Sequence, residues 1–409
     1  MGLIPFSPPR IDDEIIAEVN AALRSGWITT GPRTKQFERE LSVFNGNPST
    51  LCLNSATAGL ETMLRWFGVK EGDEVILPAY TYSATANVVM HCGAKPVLVD
   101  VNATDFNLNV DAVRKAITPA TKVIMPVDFG GLPCDYSSLA ELVRSTEIKS
   151  LFKSSHTEQA KLGRILILSD AAHSLGATYL GKRTGIHADA TVFSFHAVKN
   201  LTTAEGGAIA LNLPEPFDNE EVYRYLCILT LHGQNKDALA KMQKGNWRYD
   251  IITPGYKCNM TDLMAAIGLV ELRRYAQDTL PRRKEICLRY AEGFKGQDWA
   301  QLPVLSDEHR ESSYHLFPLR IQGISEEQRD RIIQRIFDAD VSVNVHFIPL
   351  PMLSYYRNAG YDISTYPVAY DNFSREISLP VFYDLTAEDI HRVIETVKNA
   401  VKAEIGTAQ

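Results

Sequence analysis

The chain has 409 residues, 45 % hydrophobic and 22 % charged, with a net charge of −7. That balance excludes a disordered chain and lacks the basic footprint by which proteins hold nucleic acid. No uncharged apolar run reaches the length of a membrane span, and the start, MGLIPFSPPRIDDEI, has neither the basic nor the apolar region of a signal peptide. Six cysteines, at 52, 92, 134, 227, 258 and 287, show no CxxC pair or zinc-like spacing, so reduced thiols in a cytoplasmic protein are expected.

The length exceeds that of a usual single domain, and the text changes after about residue 270. A large domain over 1–270 and a smaller α+β domain over 271–409 are therefore expected. From about 50 to 212, helix-like and strand-like segments alternate. An amphipathic piece at 56–67 precedes EVILPAY, then come a helix-like SATANVVMHC and KPVLVDV. A candidate helix NVDAVRKAI, the strand KVIMPVDF and a helix near 136–144 follow, then RILILSD, ATVFSFH and GAIALN. Continuous apolar strands separated by helices predict an α/β fold with a mostly parallel sheet covered on both faces. The polar stretch 145–163 reads as a mobile surface excursion. Beyond 270 lie a long charged helix, then HLFPLRI, EEQRDRIIQRIF, VSVNVHF and a final amphipathic helix near 387–403.

In such sheets ligands bind beyond the carboxyl ends of the strands. That rule singles out Tyr80, Tyr82, Asp128, Asp170 and the run from Ser194 to Lys199. There is no GxGxxG after a strand and no GxxxxGK[ST], which takes most of the support from dinucleotide and P-loop chemistry. Asp170 ends RILILSD and Lys199 follows ATVFSFH, so both fall at one edge of the sheet. Such a pair is either a plain salt bridge or the couple that pyridoxal 5′-phosphate requires: an amine for a Schiff base with its aldehyde and a carboxylate to keep its pyridine nitrogen protonated. The cofactor's phosphate wants a helix start with hydroxyls. NSATAGLETML supplies Ser55, Thr57 and Gly59 there, although the same pattern also makes a plain N-cap, and Ser194 is a second hydroxyl candidate. Tyr82 is a candidate to stack on the ring, and His173 lies one turn from Asp170 if a helix starts there. A metal cluster of Asp170, His173, His187, Asp189 and His196 is the competing reading, but no ligand spacing supports it, and no metal is expected.

Taken together the motifs resemble the DegT/DnrJ/EryC1/StrS family of sugar aminotransferases, of the type I pyridoxal-phosphate fold. The resemblance spans nearly the whole chain: GWITTGPRTKQFE, NSATAGL, GDEVILPAYTYSATAN, SDAAHSLGATYLGKRTG, FSFHAVKNLTTAEGGAI, TPGYKCNMTDLMAAIGLVEL and SLPVFYDLT. It implies that Lys199 is the Schiff-base lysine and Asp170 the pyridinium partner. It further implies Thr57, Ala58 and Ser194 around the phosphate, His173 near the ring, Tyr82 as the stacking aromatic, and Trp27 and His346 toward the sugar. Asn259 would reach the phosphate of the other subunit, making a homodimer part of the site. The implied reaction moves an amino group from glutamate to a keto sugar on a nucleotide, the wording being most similar to the branch that aminates 4-keto sugars on UDP for surface polysaccharide or lipid glycan synthesis. The alternatives are amination at C3 of a dTDP-sugar and a non-catalytic scaffold of the same fold.

Overall fold

The computed structural model describes residues 2–235 and 248–406. Its strands, in chain order, are β1 (Ser49–Leu53), β2 (Glu74–Pro78), β3 (Lys95–Val99), β4 (Thr121–Ile124), β5 (Leu166–Asp170), β6 (Thr178–Tyr179), β7 (Lys182–Arg183), β8 (Ala190–Ser194), β9 (Gly207–Leu211), β10 (Ala300–Gln301), β11 (Arg310–Glu311), β12 (Phe317–Ile321) and β13 (Glu376–Leu379). Seven of them form one sheet in the order β1-β9-β8-β5-β4-β2-β3. β9 runs antiparallel to both its neighbours, and the other pairings in that sheet are parallel. The sheet is thus mostly parallel, as the alternation of apolar strands and helices predicted.

The strands are mostly apolar because both faces of the sheet are covered. β1, β4, β5 and β9 are buried along their whole length. The helix Ala56–Trp66 shows how the cover is specified. The Ser55 hydroxyl accepts the Ala58 N–H at 3.1 Å and starts the helix, and Gly59, Leu60, Met63 and Leu64 turn one apolar face inward. Truncating a buried leucine of this kind to alanine costs about 2–5 kcal/mol. Gly59 is small for a reason: a Cβ there would stand 2.9 Å from the Val192 side chain of β8.

The stretch 145–163 carries structure of its own. It folds into helices Thr146–Leu151 and Thr157–Leu162, and the buried Gln159 amide donates to Phe67 O at 3.0 Å. The long charged helix is interrupted at Tyr275–Thr279 by a π-turn between Asp262–Arg274 and Leu280–Phe294. The interruption sits just before Pro281, which has no N–H to give the ladder.

A second apolar core gathers Ile286, Tyr290, Phe317, Leu319, Ile377, Leu379, Val393 and Val397, with Ile4 of the N-terminal segment. Its sheet is β10-β12-β13, antiparallel. The final helix Ala387–Ile405 opens with a capping box at Thr386 and Asp389. Among the described residues no helix is long and apolar enough to cross a membrane.

Candidate active site

At the carboxyl edge of the large sheet a cavity of about 390 Å³ opens between the two cores. Asp170, the last residue of β5, Ser194, the last of β8, and Lys199, in the turn that follows, face it together. The Lys199 turn is closed by its own N–H bonding His196 O at 2.9 Å. Thr57 at the start of the helix Ala56–Trp66 lines a second wall, with Tyr82 opposite. His173 and His346 complete it.

Four expected residues need separate description. Ala58 does not line the cavity, and its N–H is already given to Ser55 Oγ. Trp27 is half-buried beside Gly31, away from the cavity of its own chain. Asn259 also lies outside that cavity; its amide donates to Thr30 Oγ1 at 2.5 Å and its backbone bridges Leu53. His173 follows Asp170 in a turn rather than a helix, and the neighbouring Ser174 hydroxyl donates to Asp128 Oδ2 at 2.6 Å. Of the competing metal set, His187 packs on Tyr136 and Tyr179, and Asp189 pairs with Arg164 at 2.6 Å.

The electrostatics at the cavity floor are set by burial. Desolvation brings the Lys199 amine down to about 8, against the opposing pull of Asp170. The same desolvation raises the Asp170 carboxyl, opposed by hydrogen bonds from Thr85 Oγ1 at 2.8 Å and the Ala172 N–H at 3.3 Å, and by the charge of Lys199. His173 is held well below its ordinary value, by burial first and then by Lys199 and His346, and is neutral. Its Nδ1 accepts the Gly130 N–H at 3.3 Å, which assigns the ring proton to Nε2. Its ring lies 4.3 Å from that of His315, whose Nδ1 is bonded to Asn200 Oδ1 at 2.8 Å.

Sequence reading missed Thr85, His315 and Phe347, which all line the cavity. Thr85 carried a weak signal, since SATAN opens a helix directly after a strand end. Phe6 and Ser7 also line the cavity, the Ser7 hydroxyl donating to Val198 O at 3.3 Å, and no sequence pattern announces that contact.

An α/β sheet that gathers a lysine, a carboxylate and a capped helix start at one cavity, with a smaller antiparallel sheet closing the other side, defines the type I fold of pyridoxal-phosphate enzymes. The chain belongs to the DegT/DnrJ/EryC1/StrS aminotransferase family, whose pattern matches residues 9–398. It is similar to a candidate sugar aminotransferase of Streptococcus pneumoniae, Spr1654, solved in pyridoxamine- and pyridoxal-phosphate forms. The pyridoxamine form has a TM-score of 0.94 and 50 % identity, covering 98 % of this chain and 100 % of that one. The spore coat polysaccharide biosynthesis protein SpsC of Bacillus subtilis is 36 % identical over 98 % of this chain and 97 % of its own length. The uncharacterized protein MJ1066 of Methanocaldococcus jannaschii is 38 % identical over 98 % of each chain.

The residues present fit pyridoxal phosphate. The amine sheds its proton near pH 8, the carboxylate is buried in the same cavity, and the backbone of β9 passes close under the helix start. A Cβ on Gly207 would lie 2.4 Å from Ala56 N, so only glycine lets that start, with its phosphate-ready N–H groups, sit so near the sheet edge.

Proposed function

We propose that this chain transfers an amino group from glutamate to the keto carbon of a nucleotide-linked sugar, acting at C4 of a UDP-sugar in surface polysaccharide or lipid glycan synthesis. The observation that carries the reading is the shared cavity of a deprotonatable amine, a buried carboxylate and a capped helix start. When bound, pyridoxal phosphate supplies the electron sink that stabilises a carbanion next to its imine. Lys199 would hold the cofactor through its amine, and the same amine, placed in the cavity and lowered to about 8, would take and return the proton that moves during transfer. Its lowered affinity for protons suits it to both directions of that transfer. Asp170 keeps the ring nitrogen protonated, and Thr85 fixes the carboxylate that does so. Thr57, Ser194 and the N–H groups at the start of the helix hold the phosphate, the Ala58 N–H joining them by exchanging Ser55 Oγ for a phosphate oxygen. His173 and Tyr82 contact the ring, and His346 and Trp27 belong to the sugar side.

Asn259 completes the phosphate site of a second subunit. Ile251 and Ile252, each more than half exposed in the single chain, are apolar surface that a homodimer would cover. Support for a sugar acceptor comes from the similarity to Spr1654 and SpsC, each over 98 % of this chain.

The test is a screen of keto sugar nucleotides with glutamate as donor, followed by identification of the amino sugar formed. Turnover of a UDP-linked 4-keto pentose without turnover of 4-keto-6-deoxyhexoses is the expected result. Amination only at C3 of a dTDP-sugar would overturn the C4 assignment.

A further inference from the structure

His346 stands on the cavity wall contributed by the small sheet, and its backing is a chain of polar groups that the reaction as described does not use. Its Nδ1 is 2.9 Å from Ser378 Oγ, and Ser378 Oγ is in turn hydrogen-bonded to Glu376 Oε1. The other carboxyl oxygen, Oε2, accepts the backbone N–H of His346 at 3.0 Å. The arrangement follows from local structure. Glu376 and Ser378 are two residues apart on β13 and so point to one face, and the backbone bridge between Asn344 and Ser378 brings the His346 segment beside that face. Glu376 and Ser378 are both fully buried and neither lines the cavity.

A hydroxyl between a carboxyl group and an imidazole has one proton to give. If Glu376 is ionised it must accept from Ser378, which then accepts from His346 Nδ1–H, and Nε2 is left as a bare acceptor. If Glu376 is protonated it donates to Ser378, Ser378 donates to Nδ1, and Nε2 carries the proton. The two states differ by one proton, released to or taken from solvent, and His346 is neutral in both. We propose that Glu376 and Ser378 are positioning residues that set, through this relay, whether His346 presents a hydrogen-bond donor or an acceptor to the substrate cavity. The inference rests on the proposed function in taking this cavity as the place where the keto sugar is held.

Burial pushes the Glu376 carboxyl up to about 8, against hydrogen bonds from Ser378 and the His346 N–H and the charges of Arg329 and Arg320. Tyr80, whose hydroxyl donates to His346 O at 2.5 Å, is the other titratable group facing this carboxyl. Burial and the charge of Lys199 hold His346 down at about 3, so its ring does not itself become charged in the working range. His173 and His315, the remaining titratable groups around it, are held neutral in the same way.

The direct test is 15N NMR of histidine-labelled full-length protein carrying pyridoxal phosphate, with the His346 signals assigned by their loss in His346→Gln. In the wild type the proton should sit on Nε2 at low pH and on Nδ1 at high pH, with a midpoint near 8. Ser378→Ala and Glu376→Gln should each abolish the switch, while cofactor absorbance reports that both variants keep a folded site. A single tautomer throughout in the wild type, or a switch that persists in Ser378→Ala, overturns the relay. The pH dependence of KM for a UDP-linked 4-keto sugar should share the wild-type midpoint and lose it in Ser378→Ala, with glutamate KM unaffected. Failure of every keto sugar to turn over would count against the proposed function and leave the tautomer result standing by itself.

Discussion

β5 and β8 lie side by side in parallel, and charged residues flank each of them, Arg164 and Asp170 for β5 and Asp189 and Lys199 for β8. At the end where the strands begin, Arg164 and Asp189 make a two-pronged pair at 2.7 and 2.6 Å, and Asp189 also accepts the Ile167 N–H at 2.9 Å. At the end where they leave, Asp170 and Lys199 share a cavity, and the carboxylate is bound by Thr85 and the Ala172 N–H. The first pair is closed: both charges are satisfied, and each holds the other in place. In the second, desolvation outweighs the mutual attraction, so the amine is lowered to about 8 and the carboxyl is raised. Two strands thus carry the same pair of charge types with opposite outcomes, and the one left incompletely compensated is the one able to do chemistry.

That contrast sets the expected variants in order. Lys199→Ala should lower transamination by about 10⁴-fold or more while the cofactor-free protein unfolds at an unchanged or higher temperature. Retention of activity within about tenfold would erase the difference between the two ends. Asp170→Asn removes the charge but keeps the shape, and a loss of about 10²–10³-fold in kcat with a normal Tm is expected from steady-state kinetics and calorimetry. Arg164→Ala should do the reverse, since it strands a buried Asp189. A loss of about 3–5 kcal/mol in urea unfolding, with kcat per folded molecule preserved, would sharpen the comparison.

The most gradual effect, spread over several pH units, belongs to the other core. Glu376 has a folded-state value of about 8, raised from 4.5, so between those limits the folded chain binds more protons than the unfolded one. Stability contributed by this group is therefore greatest below the lower limit and falls as pH rises toward about 8, by at most about 1.4 kcal/mol per pH unit. Glu376→Gln should flatten that part of the wild-type stability curve, and an unchanged slope would show that this carboxyl does not carry it.

The sheet and the edge at which the cavity opens were legible because buried parallel strands are written as apolar runs, and because Asp170 and Lys199 each stand directly after one. The relay behind His346 was not. EISL reads as an ordinary strand, and what makes Glu376 and Ser378 matter is a bridge to Asn344, a contact with no trace in local sequence. The π-turn at Tyr275–Thr279 and the helices within 145–163 were also hidden, the first because a charged helical pattern continues through it, the second because short capped helices are as polar as loops. Asn259 and Trp27 match family wording yet stand outside the cavity of their own chain, a placement that local sequence does not reveal.

The central claim is that Lys199, and no other lysine, bears the cofactor. Borohydride reduction of the protein loaded with pyridoxal phosphate, followed by peptide mass spectrometry, tests it directly. The reduced pyridoxyl adduct should appear on the peptide containing Lys199 and be absent in Lys199→Ala. An adduct on another lysine, or loading that survives Lys199→Ala with the same stoichiometry, would contradict it.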